Sequence, residues 1–172
     1  MTPPITLDNP RRLSGDDPDL ARVLALIRDS FAYMDGVIDP PSSMHRMTEK
    51  SLCTDASRSE IWVIGTPPIA CMVLTPRPDT LYLGKLAVAS AARGQGLARR
   101  MIDHAAARAA ALGLPSLTLQ TRIELTANHA TFAALGFTQT GRTRHDGYDR
   151  DTSITFTLSV AADRLSAKGA TT

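Results

Sequence analysis

The apolar run LYLGKLAVA, Leu81 to Ala89, leads through SAARGQGLARR into positions Leu97, Met101, Ile102, Ala105, Ala109 and Leu112, and the chain then reads SLTLQT. The outer two runs are β-rich, while the middle one repeats at helical spacing and meets a stop signal at Gly113. A strand, a helix and a second strand in this order make a parallel pair, because a parallel partner needs a crossover connection. Upstream, IWVIG and IACMVLTP are separated only by TPP and read as a hairpin, which is antiparallel. The sheet is therefore expected to be mixed, with helices on its faces.

The remaining elements fit that frame. Asp17-Pro18 is read as a helix start, followed by Leu20, Val23, Leu24, Ile27 and Phe31 at helical spacing. A second helix is expected from Thr48, with Glu49 in its first turn. Between them FAYMDGVIDPPSSMHRM is long for a connector and rich in turn formers, which marks a candidate binding loop. TANHATFAAL predicts a short helix ended by Gly136, and strands are expected over 138–144 and 152–160 around the polar turn HDGYDRD. The tail from Asp163 reads as disordered.

Composition narrows the function classes. A chain of 172 residues suits a single domain, taken here as 1–162, and no segment approaches the apolar length of a membrane helix. The start MTPPITLDNPRRLSGDDP lacks the apolar centre of a secretory signal, so a cytoplasmic location is expected. Cys53 and Cys71 are too few for a disulfide scaffold, and His45, His104, His129 and His145 show no metal-ligand spacing, so no metal is implied. A net charge of +2, with scattered arginines and 5% aromatics, argues against a nucleic-acid partner.

The glycines carry the chemistry. A helix N-terminus leaves backbone N–H groups unsatisfied and partly positive. Gly94 and Gly96 keep that end bare, Ala98 is small, and Arg93, Arg99 and Arg100 add positive charge, as a phosphate or pyrophosphate requires. The Gly-Lys-Ser/Thr of a P-loop is missing, and so are the third glycine and the later acidic residue of a dinucleotide fingerprint. Two glycines before a helix also fit a plain tight turn; the arginines and Ala98 favour the ligand.

RGQGLA, Arg93 to Ala98, resembles the Arg/Gln-x-x-Gly-x-Gly/Ala signature of the GNAT superfamily of acetyl-CoA-dependent N-acetyltransferases, and ELTANHATFAALGF, Glu124 to Phe137, resembles its Asn-bearing helix closing in Leu-Gly-Phe. The resemblance implies a mixed, mostly antiparallel sheet of about seven strands with one splayed parallel pair and about four helices. It implies acetyl-CoA as co-substrate. The pyrophosphate would lie on Arg93, Gly94, Gln95, Gly96, Leu97, Ala98 and Arg99, and the pantetheine arm along Leu86, Ala87 and Val88. The Leu86 N–H would serve as oxyanion donor. Asn128 and Phe132, four apart on one helix face, would look onto the cofactor.

Phe132 departs from the family, where a tyrosine at this position commonly protonates the leaving thiolate. Water, Tyr148, Tyr33 or His145 are the other proton sources, and a thiol of reference pKa about 8.5 leaves tolerably unaided. By position in similar folds, Glu124, Asp35 and Asp39 are candidates to accept the amine proton, with Tyr33, Asp35 and Asp39 facing the acceptor; each carboxylate also fits a solvated surface role. The acceptor implied is a small-molecule or peptide amine, and a homodimer is among the states the resemblance allows. Phe132 leaves a rival open, a protein that binds acyl-CoA as a sensor without turnover.

Overall fold

The structure, a computed structural model, describes residues 9–160, so the tail expected from Asp163 lies outside it. The strands are β1 (Arg11–Leu13), β2 (Glu60–Ile64), β3 (Ala70–Pro76), β4 (Leu81–Val88), β5 (Ser116–Arg122), β6 (Thr138–Thr143) and β7 (Ser153–Ser159). The helices are α1 (Leu20–Phe31), α2 (Glu49–Arg58), α3 (Leu97–Ala111) and α4 (Thr126–Ala134). The seven strands lie in the order β1-β2-β3-β4-β5-β7-β6. Pairing is antiparallel for β1–β2, β2–β3, β5–β7 and β6–β7, and parallel for β4–β5, as the strand-helix-strand pattern predicts. The described residues divide into two compact units: one holds 9–75 with Leu83–Ile102, the other Pro76–Tyr82 with 103–160.

In the first unit α1 and α2 bury their apolar stripes on the small sheet, with Leu13, Val23, Ile27, Leu52, Ile61 and Val63 in one core. α2 begins where expected because Thr48 and Ser51 satisfy each other: Thr48 Oγ1 accepts the Ser51 N–H at 3.0 Å, and Ser51 Oγ accepts the Thr48 N–H at 2.9 Å. β1 was not anticipated from sequence; a three-residue run, Arg-Arg-Leu, gives too little alternation, and its register, Leu13 opposite Ile61, comes from the core.

The start of α1 differs from expectation. Asp17 and Pro18 form the turn before the helix, with Asp17 Oδ1 accepting the Asp19 N–H at 2.8 Å, and Asp19 is the N-cap residue. The Asp19 carboxylate makes no cap bond and instead takes Arg11 Nη2 at 2.5 Å and Arg22 Nη1 at 2.6 Å. Hydrogen bonding from Arg11, then from Arg22, holds this carboxyl below its ordinary value. A depressed folded-state pKa stabilises above the unfolded value of about 3.9 and the gain is lost as pH falls through the folded value. Asp19→Asn is expected to lower stability at pH 7 by about 1–2 kcal/mol, a figure held down by screening at the partly exposed arginines. Thermal melts at pH 7 and in progressively stronger acid check it: the gap between wild type and variant should close as the folded-state carboxyl protonates.

In the second unit β5 and β7 pair over their whole lengths, from Ser116 opposite Ser159 to Arg122 opposite Ser153. α4 covers one face of this pair, with the Phe132 ring 6.2 Å from Phe156 and 5.9 Å from Phe137. Gly136, at φ +100°, ends the helix as its sequence suggests, and the Phe137 N–H then bonds the Phe132 carbonyl at 3.0 Å. Leu112, expected on the apolar face of α3, falls just past the helix end and is 42% exposed. Among the described residues no helix is long and apolar enough to cross a membrane.

Candidate functional site

Within β4, Lys85 has a φ of +53°, the one left-handed value among the described non-glycine residues. Such a conformation costs about 1–2 kcal/mol and persists only where surrounding contacts impose it. Here Lys85 Nζ donates to Ser43 Oγ at 2.8 Å, and the Lys85 carbonyl receives Cys71 Sγ at 3.5 Å. The same ammonium acts on α2: burial raises the Asp55 carboxyl pKa, and Lys85 is the main charge opposing the rise. Leu86 follows Lys85 directly, Ala87 is buried, and the Val88 carbonyl accepts from Ser30 Oγ at 3.4 Å. A lysine inside an otherwise apolar run was the signal that could have singled this position out.

After a short 3-10 turn, Ser90–Ala92, the loop passes through Gly94 at φ +79° and Gly96 at φ +76° into α3. A Cβ on either glycine would meet nothing within 4 Å, so the glycines serve the left-handed backbone and keep the outer side of the loop bare. The first bond of the α3 ladder runs from Arg100 N–H to the Gly96 carbonyl at 3.1 Å, which leaves the amides of Leu97, Ala98 and Arg99 ahead of it. Ala92 and Leu97 anchor the loop from below, while Arg93, Gln95 and Arg99 are exposed. A hollow of about 130 Å³ is lined here by Val88, Ala92, Arg93, Gly94, Gly96 and Ala98, among others. Bare amides, a helix N-terminus and guanidinium groups beside a concavity fit a polyphosphate.

The loop after α1 is pinned to the same unit. Ile38, Met44 and Met47 are buried, and Arg28 Nη2 donates to the Met47 carbonyl at 2.7 Å. Tyr33 is 52% exposed, Asp35 Oδ1 bonds His45 Nε2 at 2.7 Å, and Asp39 precedes Pro40 in a cis bond. Lys85 and Ser43 thus tie β4 to this loop, and Asp35 and His45 close the loop on itself, contacts that sequence reading did not assemble.

In the second unit Glu124 lies in the turn after β5, half-buried, and Asn128 and Phe132 are half-buried on α4. His145 and Tyr148 share the β6–β7 turn, their rings edge-on at 6.4 Å. Thr152, fully buried, bonds the His145 backbone N–H through Oγ1 at 2.9 Å and also meets ring Nδ1. Partial burial, then the Arg122 charge, lowers the His145 pKa, with Asp146 and Glu124 pulling the other way. Glu124, Arg122, His145 and Tyr148 therefore form one polar neighbourhood, of which sequence reading had named Glu124, His145 and Tyr148 separately. Among the described residues no group of three or more His, Cys, Asp or Glu side chains is arranged for a metal ion.

A strand carrying a left-handed residue, a glycine loop and a helix start are set in a mixed α/β fold. Residues 21–137 match the family model described as Acetyltransferase (GNAT) family, and the chain belongs to that family. No curated protein sequence matches significantly. Among solved structures, an acetyltransferase from Streptococcus agalactiae superposes with a TM-score of 0.67 at 18% identity, covering 88% of this chain and 97% of that one. The ribosomal-protein-S18-alanine N-acetyltransferase from Escherichia coli gives 0.61 at 20%, covering 88% and 94%. A GNAT family acetyltransferase from Elizabethkingia anophelis, solved with acetyl-CoA bound, gives 0.61 at 16%, covering 88% and 97%. At such identities the likeness is one of fold.

Proposed function

We propose that this chain, as one domain over residues 1–162, transfers the acetyl group of acetyl-CoA to a primary amine of a small-molecule or peptide acceptor. The observation that carries the reading is the pair of left-handed glycines at the head of α3, with open space outside them. Arg93, Gly94, Gln95, Gly96, Leu97, Ala98 and Arg99 would hold the pyrophosphate. Leu86, Ala87 and Val88 would pair with the pantetheine arm, and Asn128 and Phe132 would face it. The Leu86 N–H, next to the left-handed Lys85, is the proposed oxyanion donor.

The neutral amine nitrogen attacks the thioester carbonyl carbon, the C–S bond breaks, and the sulfur leaves with the electron pair. Proximity and the oxyanion contact supply the main acceleration. The amine proton passes to a basic group; Glu124 is the proposed acceptor, and Tyr148 is the candidate to return a proton to the thiolate. Direct attack is favoured over an acyl-enzyme because burial pushes the Cys71 thiol up to about 12, which leaves it protonated at neutral pH.

Calorimetry with acetyl-CoA, followed by detection of released CoA thiol against a panel of amines, tests the proposal. Binding with release supports it. Tight binding with no release from any amine would favour the sensor reading, and no binding would remove the acetyl-CoA assignment.

Tyr33, Asp35 and Asp39 are assigned to the acceptor side. Asp35→Ala and Asp39→Ala are each expected to raise KM for the amine by about three- to tenfold, the value of one typical hydrogen bond, with acetyl-CoA affinity unchanged. Equal loss of cofactor binding in both variants would place the loop on the other side.

A further inference from the structure

Cys71 stands in β3, fully buried, and its Sγ donates to the Lys85 carbonyl at 3.5 Å. Burial pushes the thiol pKa up to about 12, so it stays protonated near neutral pH and keeps the hydrogen that this bond needs. A backbone hydrogen bond from Ala87 reaches the same sulfur. One thiol therefore grips the chain on both sides of Leu86. Lys85, whose carbonyl it holds, is left-handed at φ +53°, a conformation that persists only where its surroundings impose it. All of these residues belong to the first unit, as does the glycine loop.

The consequence lies in the peptide that joins Lys85 to Leu86. Its carbonyl and the Leu86 N–H share one planar trans unit and point in opposite directions. With Cys71 on the carbonyl, the N–H is turned away from the sulfur and kept there. A hydrogen bond accepted by a peptide carbonyl also polarises the N–H of the same unit, which makes it a better donor. The Lys85 side chain, with Nζ on Ser43 Oγ at 2.8 Å, fixes the same residue from its other end.

We propose that Cys71 is a positioning residue, its S–H clamping the Lys85–Leu86 peptide so that the Leu86 N–H is fixed and strengthened as the oxyanion donor. This rests on the acetyl-transfer reading given above, in which the Leu86 N–H meets the thioester oxygen. Cys71 acts only through that peptide; its sulfur forms and breaks no covalent bond.

The test is infrared spectroscopy of carbonyl-labelled acetyl-CoA, free and bound to wild type, Cys71→Ala and Cys71→Ser, with calorimetry of each protein for affinity. The bound carbonyl stretch should fall below its solution value in wild type, lose most of that shift in Cys71→Ala, and keep it in Cys71→Ser, which retains a donor. Acetyl-CoA affinity should stay within about threefold, because a donor aimed at developing charge adds little to ground-state binding. With an amine that wild type acetylates, kcat of Cys71→Ala should drop about ten- to a hundredfold with KM little changed. If Cys71→Ala does not fold, Cys71→Val, which also lacks the donor but fills more space, takes its place. A shift kept in Cys71→Ala, or lost equally in Cys71→Ser, overturns the clamp while the acetyl-CoA reading stands. No shift in bound wild type removes Leu86 as donor and the clamp with it, and failure of wild type to bind overturns the acetyl-CoA reading as well.

Discussion

Gly96→Val is expected to reduce acetyl-CoA affinity by at least about a hundredfold while the protein remains folded. Two effects act together. Valine is strained at φ +76°, so the loop must shift and its amides turn away from a common focus. Its side chain also projects into the open space where the pyrophosphate is proposed to lie. Hydrogen bonds to a charged group are worth about 1.5–3 kcal/mol each, so losing two accounts for the factor. Stability should fall by only about 1–2 kcal/mol, because no packed atom is displaced. Calorimetry and a thermal melt read the two effects separately, and unchanged CoA affinity in the folded variant would show that the site lies elsewhere.

Phe132→Tyr is expected to raise kcat. General acid catalysis contributes about 10²–10⁴, so a phenol reaching the sulfur could raise turnover by up to about a hundredfold if thiolate departure limits the rate. The ring is half-buried against Phe137 and Phe156, so the added hydroxyl needs a partner, and bound thiolate is the partner proposed. The variant's kcat should also acquire a dependence on a group titrating near the tyrosine reference of about 10, shifted by its surroundings. Rate against pH for both proteins is the measurement. Unchanged kcat would mean that another donor supplies the proton or that a different step limits turnover.

The glycine loop was legible because a left-handed backbone before a helix is a local demand that few residues besides glycine meet, and Gly94 and Gly96 adopt it. The helix start at Thr48 was legible for a similar reason, since its capping partner lies three residues on. Asp17 misled because the same carboxylate that can cap a helix can also close the turn before it. Acetyl transfer was legible only through the family motif, not from any residue taken alone.

Sequence by itself determined the order of the elements from α1 on, the mixed sheet and the position of the glycine loop, all of which follow from dihedral preference and burial period within a short window. The tertiary structure alone decided which distant side chains meet. Lys85 is left-handed and reaches Ser43, 42 residues away in sequence; Asp35 meets His45 and Thr152 holds His145; the Thr121 hydroxyl is buried with no partner among the described residues. Each of these depends on strand register and helix packing, which the whole core sets by burying apolar area. No local window of residues carries that information.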